Sequence, residues 1–268
     1  MNGARRLRSL APALPFLMTG IVAGQGKDLT VDIRVAAVAM LGDTTTVNYV
    51  LRNLQASQES LFTFTVDAPS PVLMLVRPGS RQQWNIGTDY RGRSVADFAA
   101  LGSYIAPGDS TPLLGFGALG LPGIVTAWYG GHFPLPSTFE SDSDTTAYVD
   151  VPEVDPLTAN SVQTTTVGID PIAPGTTDPA LVERLGSLTT QACSLIWITS
   201  GNLCNSLQSK LDKAARDLQH GKNATAKADL QSFNTLLETN HGPGSSGSVG
   251  DSAYWLLRVN ADYVIGRL

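Results

Sequence analysis

The sequence predicts an α+β protein in two parts, an antiparallel β-sandwich followed by a four-helix up-down bundle with one disulfide. Three observations predict it. Apolar residues recur at every second position from residue 29, and at every third or fourth position from residue 178. The only two cysteines, Cys193 and Cys204, both lie in the second part. A chain of 268 residues is long enough to bury two such cores.

Short alternating runs predict the strands of the sandwich, at residues 29–35, 47–51, 62–66 and 72–76. They are rich in β-branched and aromatic residues and are separated by turn residues such as Gly42-Asp43. Evenly spaced runs of this kind are typical of an antiparallel sandwich. We expect further strands at 113–118 and 123–129, and a short helix or a loop at 94–101.

Composition divides the chain into four segments. Residues 1–26 are predicted to be a signal peptide, 27–136 the sandwich, 137–177 a linker with candidate edge strands, and 178–268 the bundle. The linker is rich in Ser, Thr, Asp and Pro. We expect few contacts across residues 172–177, because domain boundaries fall in such segments.

Capping residues and breaks predict the helices of the second part. Asp178 is the expected N-cap of the first helix, with Pro179 at its first helical position. Ser200-Gly201 interrupts the first helical run, and Gly221 ends the second. Four amphipathic helices with short connections predict an up-down bundle.

The two cysteines lie on either side of the predicted break between the first two helices. In an exported chain an isolated close pair predicts a disulfide, and two reduced structural cysteines are the alternative. A bridge that closes a loop of this size stabilises the fold by about 3 kcal/mol in the chain-entropy model.

The first residues carry the pattern of an export signal. Arg5, Arg6 and Arg8 precede an uncharged, mostly apolar stretch, and the small residues Val22 and Gly24 fit a cleavage site. A membrane anchor is the alternative, but the stretch is shorter than the about 20 residues that a spanning helix needs. The sequence therefore predicts a secreted or cell-surface protein with no transmembrane segment in the mature chain.

Composition argues against some classes of function. Only 15% of the residues are charged and the net charge is −5, whereas a nucleic-acid-binding protein needs a basic face. The catalytic signatures GxSxG and HExxH are absent from the sequence. We therefore expect no catalytic residues, no cofactor and no nucleic-acid partner.

The C-terminal part carries several short motifs: Cys204-Asn205, Leu207 with Lys210-Leu211, Ala228-Asp229-Leu230 with Phe233, and Ala253-Tyr254-Trp255-Leu256-Leu257-Arg258 with Asn260-Ala261. With these motifs, residues 203–268 resemble the FIMAH-type helical module of secreted bacterial proteins. The resemblance covers the last three predicted helices. It implies an accessory role, such as attachment or spacing, and supplies no catalytic residues.

Two motifs of the N-terminal part are the segment from Thr46 to Asn53 and the turn from Ala106 to Ser110. Through them this part is similar to bacterial immunoglobulin-like adhesion domains. The similarity implies an immunoglobulin-like sandwich.

Aromatic residues supply the candidate ligand platform, which consists of Trp84, Tyr90, Trp128, Tyr129 and His132. Flat rings can stack on sugar rings while polar neighbours fix their orientation. Core packing is the alternative, because neighbouring residues of a strand such as Trp128 and Tyr129 point to opposite faces.

An acidic cluster in the linker is a second candidate, for calcium: Glu140, Asp142, Asp144, Asp150, Glu153 and Asp155. It lacks the glycine and the closing glutamate of an EF-hand, so a solvated linker is the simpler interpretation and we predict no metal site.

The sequence as a whole predicts a secreted, non-catalytic interaction protein. It would be an adhesion or attachment module that binds a cell-surface protein, a polysaccharide or a matrix component. The alternative is a carbohydrate-binding accessory protein that uses the aromatic platform, and an unrecognised extracellular hydrolase is the third hypothesis.

Overall fold

The computed structural model describes residues 29–76, 83–90, 92–101, 104–132, 161–242 and 247–268. The strands within these ranges are β1 Val31–Leu41, β2 Thr44–Asn53, β3 Ser60–Asp67, β4 Val72–Val76, β5 Gln83–Tyr90, β6 Arg93–Leu101, β7 Leu114–Leu119, β8 Leu121–His132 and β9 Val162–Asp170. The helices are α1 Asp178–Ser194, α2 Gly201–Gln219, α3 Asn223–Asn240 and α4 Asp251–Arg267.

The strands form two antiparallel sheets. Sheet A has the order β1-β2-β7-β4, and sheet B the order β5-β6-β3-β8-β9. The two sheets, the four helices and the disulfide confirm the predicted fold class.

The core of the sandwich lies between the two sheets. Val47, Tyr49 and Leu51 of β2 are completely buried, while the residues between them are half-exposed. The ring of Tyr49 packs edge-on against Phe64 of sheet B, with centroids 5.3 Å apart. Its hydroxyl donates a hydrogen bond to the carbonyl of Val167, 2.5 Å away, so one side chain links both sheets.

The hairpin β5–β6 corrects one expectation. Residues 94–101 form a strand, neither a helix nor a loop, and pair with the strand β5 that precedes them. Strand β6 lacks a clear alternation of apolar and polar residues because both of its faces are covered. Val95 on one face and Phe98 on the other are both completely buried.

Strand β9 extends sheet B after the segment of residues 133–160. It pairs with β8 along its whole length, from Val162 opposite Tyr129 to Asp170 opposite Leu121. Residues 162–170 therefore belong to the sandwich, at the edge of sheet B.

The caps of the first two helices differ from each other. Thr177 is the N-cap of α1, and Asp178 is the first helical residue instead of the predicted cap. The Asp178 carboxylate pairs with Arg267 at 2.6 Å, a long-range contact that no local pattern reveals. At α2 the hydroxyl of Ser200 accepts a hydrogen bond from the amide of Leu203, as expected of a capping serine.

The disulfide between Cys193 and Cys204 is confirmed. It joins the end of α1 to the first turn of α2, with the two Cα atoms 6.3 Å apart.

Helix α4 lies along β1 and closes one edge of the sandwich. At the start of α4, Asp251 pairs with Arg34 at 2.8 Å. Towards its end, Tyr263 and Gly266 lie next to Met40 and Gly42 of the β1–β2 hairpin. Helix α4 also contacts β8 and β9, and one continuous apolar core runs from the sandwich into the bundle.

The predicted signal peptide and the acidic cluster of residues 140–155 lie outside the described residues. Within the part that is described, none of the helices has the length and apolarity needed to cross a bilayer.

Candidate interaction site

The predicted aromatic platform is not formed by Trp128 and Tyr129. The two rings point to opposite faces of β8, and only 5% and 8% of their surfaces are exposed. Tyr129 belongs to the core between the sheets. Trp128 lies on the outer side of sheet B, where the guanidinium of Arg93 covers its ring at 4.8 Å from the centroid.

Trp84 does not share a face with Trp128. It pairs with Ala100 and packs against the core, so it faces inward. Tyr90 is half-buried and lies opposite Arg93, next to the turn of the β5–β6 hairpin. His132 is the last residue of β8. The strand pairing therefore separates Trp84 and Tyr129, which face the core, from Trp128 on the outer side, so these three rings form no shared exposed surface.

A buried polar contact joins the bundle to the sandwich. Arg184 of α1 donates to the side-chain oxygen of Asn260 at 2.5 Å and to the carbonyl of Pro122 at 3.0 Å. It also pairs with Asp170 at 3.2 Å. Asn260, which is 2% exposed, donates to the same Pro122 carbonyl.

Burial lowers the pKa of Arg184, and the neighbouring Asp170 opposes that shift. The guanidinium stays charged because arginine does not lose its proton in proteins. This contact fixes α1 and α4 against β8 and β9, so the surface where bundle and sandwich meet has a defined shape.

Two adjoining depressions lie where the bundle meets the sandwich, and we call them together the junction cleft. Their volumes are about 460 and 600 Å³. Met40, Tyr263 and Arg267 line both of them. Residues 171–176, with two prolines, form one wall of the larger depression, and Ser70, Pro71, Leu119 and Gly120 line its sandwich side.

Arg267 is the fixed cation of the junction cleft. It bonds Asp178 at 2.6 Å, the carbonyl of Thr176 at 3.2 Å and the hydroxyl of Tyr263 at 3.4 Å. Its hydrogen bond with Tyr263 and its pairing with Asp178 raise its pKa. The carboxylate residue Asp43 also lines the larger depression.

Exposed apolar side chains border the cleft. Leu41 is 87% exposed and Leu119 is 54% exposed. Both pair with Thr44, so they stand on either side of it at one end of sheet A. An apolar rim of this kind is characteristic of an interaction surface.

Clefts of this size at a domain junction are common binding sites for small molecules and peptide segments. The walls suit an apolar group, and Arg267 suits a neighbouring anion or carbonyl. Among the described residues, no three His, Cys, Asp or Glu side chains converge as metal ligands would.

Sequence reasoning assigned no functional role to any residue of the junction cleft. Its lining comes from segments up to 227 positions apart (Met40 and Arg267), so no local motif marks it. The one local indication is the pair Pro171 and Pro174, which stiffens the wall formed by residues 171–176.

Comparison with known protein families gives a match in the helical bundle. Residues 197–266 match the family model of the FIMAH domain. This confirms the resemblance inferred from the sequence, and the matched residues include all of α2, α3 and almost all of α4. The match indicates an extracellular module of the adhesion type. No curated protein matches the chain.

Solved structures resemble parts of the chain at low similarity. An uncharacterized protein from Nocardia farcinica, described as having an immunoglobulin-like fold, is 16% identical, with a TM-score of 0.26. The match covers 38% of this chain and 76% of that one.

A GH20 exo-β-N-acetylglucosaminidase from Vibrio harveyi is 14% identical, with a TM-score of 0.28. That match covers 41% of this chain but only 16% of the glycosidase, so this chain corresponds to a small part of that enzyme's length.

Proposed function

We propose that the chain is a secreted, non-catalytic attachment protein that binds a cell-surface or matrix component at the junction cleft. The cleft itself carries this proposal. It exists only where the bundle docks on the sandwich, it has apolar walls and an apolar rim, and Arg267 is held in place beside it.

The match to the FIMAH domain supports an accessory role for the bundle. In this proposal the bundle is part of the binding surface as well, because Tyr263 and Arg267 of α4 line the cleft. The carbohydrate-binding alternative depended on the aromatic platform, and the burial of Trp128 and Tyr129 removes its main support.

The experiment measures binding of residues 27–268 to whole cells, insoluble polysaccharides and immobilised matrix proteins. Tyr263→Ala is the test variant, because Tyr263 lines both depressions. The matched control is Tyr254→Ala on the same helix, a half-buried tyrosine that stacks on His241 near the other end of α4.

We expect Tyr263→Ala to weaken binding by about 30-fold, as an aromatic residue at the centre of an interface does, and Tyr254→Ala to leave it within about 2-fold. Equal losses in both variants would show that the bundle's stability, and not the cleft, determines binding. Undiminished binding of Tyr263→Ala would place the ligand elsewhere.

A further inference from the structure

The outer face of sheet A is a wide surface of small and apolar side chains. A row across its middle consists of Ala39, Thr46, Gly117 and Met74, one residue from each strand. The neighbouring row at the cleft end consists of Leu41, Thr44 and Leu119. No helix in the described part of the chain packs on this face, because α4 covers the β1 edge instead.

Most of the exposed large apolar residues of the described chain lie on this sheet or next to it. Leu41, Leu119 and Met74 are 87%, 54% and 48% exposed, and Leu73 and Leu113 are also exposed. Contiguous exposed apolar side chains mark an interaction surface.

The strand residues of this face carry charge at one end only. In the described strands, its charged residues are Asp32, Arg34 and Arg52, which lie at the end of β1 and β2 remote from Leu41. Asp32 lies opposite Arg52 in the strand register, and Arg34 pairs with Asp251. The rest of the strand surface is neutral, and the exposed carboxylate of Asp43 lies in the turn beside Leu41, at its border.

We propose that two copies of the chain pair face to face through the outer face of sheet A. In a symmetric pair the same patch meets itself, so a patch of one charge would repel its copy, whereas a neutral patch does not. A charged partner would lose hydration on this face without gaining a counter-charge. The face therefore favours a second copy over a charged macromolecule.

The size of the face determines how tight the pair is. Strands about 4.8 Å apart and residues about 3.4 Å apart give the neutral part an area of about 400 Å² in each copy. Two such faces bury roughly 800 Å², less than the about 1,200–2,000 Å² of stable specific interfaces. A face of this size therefore supports only a weak, reversible dimer.

Pairing is independent of the proposed function, because it concerns association of the chain with itself and needs no ligand. The two surfaces adjoin at Leu41 and Leu119, so the main variant used for pairing, Ala39→Arg, lies in the middle row, away from both of these residues. If both proposals hold, a dimer presents two clefts and binds a surface bivalently.

Sedimentation equilibrium of residues 27–268, from about 1 to about 500 µM, tests the pairing. We expect the wild type to pass from monomer to dimer with rising concentration. Ala39→Arg places a like charge in the middle row of both copies, and we expect it to weaken dimerisation at least 10-fold. The matched control, Ala228→Arg, adds the same charge on an exposed position of α3 and should dimerise as the wild type does.

Leu41→Ser is a second variant, because removing an 87% exposed side chain leaves the fold intact. It should also weaken the dimer, by several-fold. A wild type that stays monomeric at the highest concentration overturns the proposal. So does a dimer that is equally tight in Ala39→Arg and Leu41→Ser, and so does assembly beyond two copies, since a face-to-face pair is closed.

Discussion

Ile196 is held in an unfavourable backbone conformation on the loop that the disulfide closes. Its φ is +60°, and it is the only residue other than glycine with a positive φ in the described ranges. A β-branched residue is a clear outlier there, because its Cβ crowds the backbone. The side chain is 72% exposed, so burial gives little in return. The cost of this conformation therefore remains in the folded state.

Replacement of Ile196 by glycine should stabilise the protein. Glycine removes a cost of about 1–2 kcal/mol but loses about 0.5–1 kcal/mol of chain entropy on folding, so we expect a net gain of about 0.5–1 kcal/mol. Denaturant unfolding measures it. Leu195→Gly is the matched control, because Leu195 has a φ of −78° and should lose stability. A lower midpoint for Ile196→Gly than for wild type would contradict the interpretation.

Asp97 is a partly buried carboxylate on the outer side of sheet B. Burial raises its pKa above the ordinary value of 3.8, although a hydrogen bond from Thr65 at 2.6 Å and one from the amide of Phe98 oppose the shift. The folded state thus binds the proton more tightly than the unfolded state. The contribution of Asp97 to the free energy of unfolding is therefore fully present below pH 3.8 and is lost as the pH rises through the raised pKa.

Asp97→Asn keeps an acceptor for Thr65 and removes the charge. We expect this variant to be more stable than wild type at pH 7, with a difference that shrinks as the pH falls below 3.8. Thr65→Val should act in the opposite direction at pH 7, because it removes a hydrogen bond to the charged form. Unfolding curves at several pH values measure both, and a difference that does not vary with pH would contradict the prediction.

Helix α1 is joined to strands β8 and β9 mainly through Arg184. Loss of this side chain leaves the side-chain oxygens of Asn260 and Asp170 without this donor in a largely buried place, whereas the carbonyl of Pro122 keeps its bond from Asn260. Arg184→Ala should therefore cost about 2–4 kcal/mol. It should also separate the unfolding of the bundle from that of the sandwich.

Helical circular dichroism at 222 nm and tryptophan fluorescence, followed against denaturant in a Trp197→Phe, Trp255→Phe background, test the Arg184 prediction. The two tryptophans that remain, Trp84 and Trp128, lie in the sandwich. We expect the two probes to coincide in this background and to diverge when Arg184→Ala is added. Arg258→Ala is the control, because Arg258 pairs with Asp262 and Glu238 inside the bundle. It should cost no more than about 1 kcal/mol and keep one transition. Coinciding probes in Arg184→Ala would show that the apolar core alone couples the two parts.

Among the helices and strands, the sequence predicted those whose hydrophobic pattern can be seen within the element itself. The alternation of β2 and the stripe of Leu203, Leu207 and Leu211 on α2 are both found as expected, because each has one buried and one exposed face. Strand β6 was missed because Val95 and Phe98 are buried on opposite faces. The prediction that Asp178 is the N-cap of α1 was wrong. Its carboxylate binds Arg267, which lies 89 positions away in the sequence.

For the whole molecule, the candidate site depends on how the two parts dock, and docking leaves no periodic pattern in a sequence. Its determinants, such as Arg184 and Asn260, are indistinguishable in sequence from ordinary surface residues of amphipathic helices. The aromatic platform was predicted from residue type alone. The pairing of the strands places Trp84 and Tyr129 on the inner face of sheet B and Trp128 on its outer face.

The position of α4 beside β1 has a mechanical consequence. Helix and strand run in the same direction, from the pair of Arg34 and Asp251 to the contact of Met40 with Tyr263. A pull on β1 towards its start and on α4 towards its end would slide the two past each other along about 25 Å of helix. All their contacts would carry the load together instead of breaking one after another, and the rate of forced unfolding would fall accordingly. Such a lengthwise seam resists tension better than one that peels open from an end.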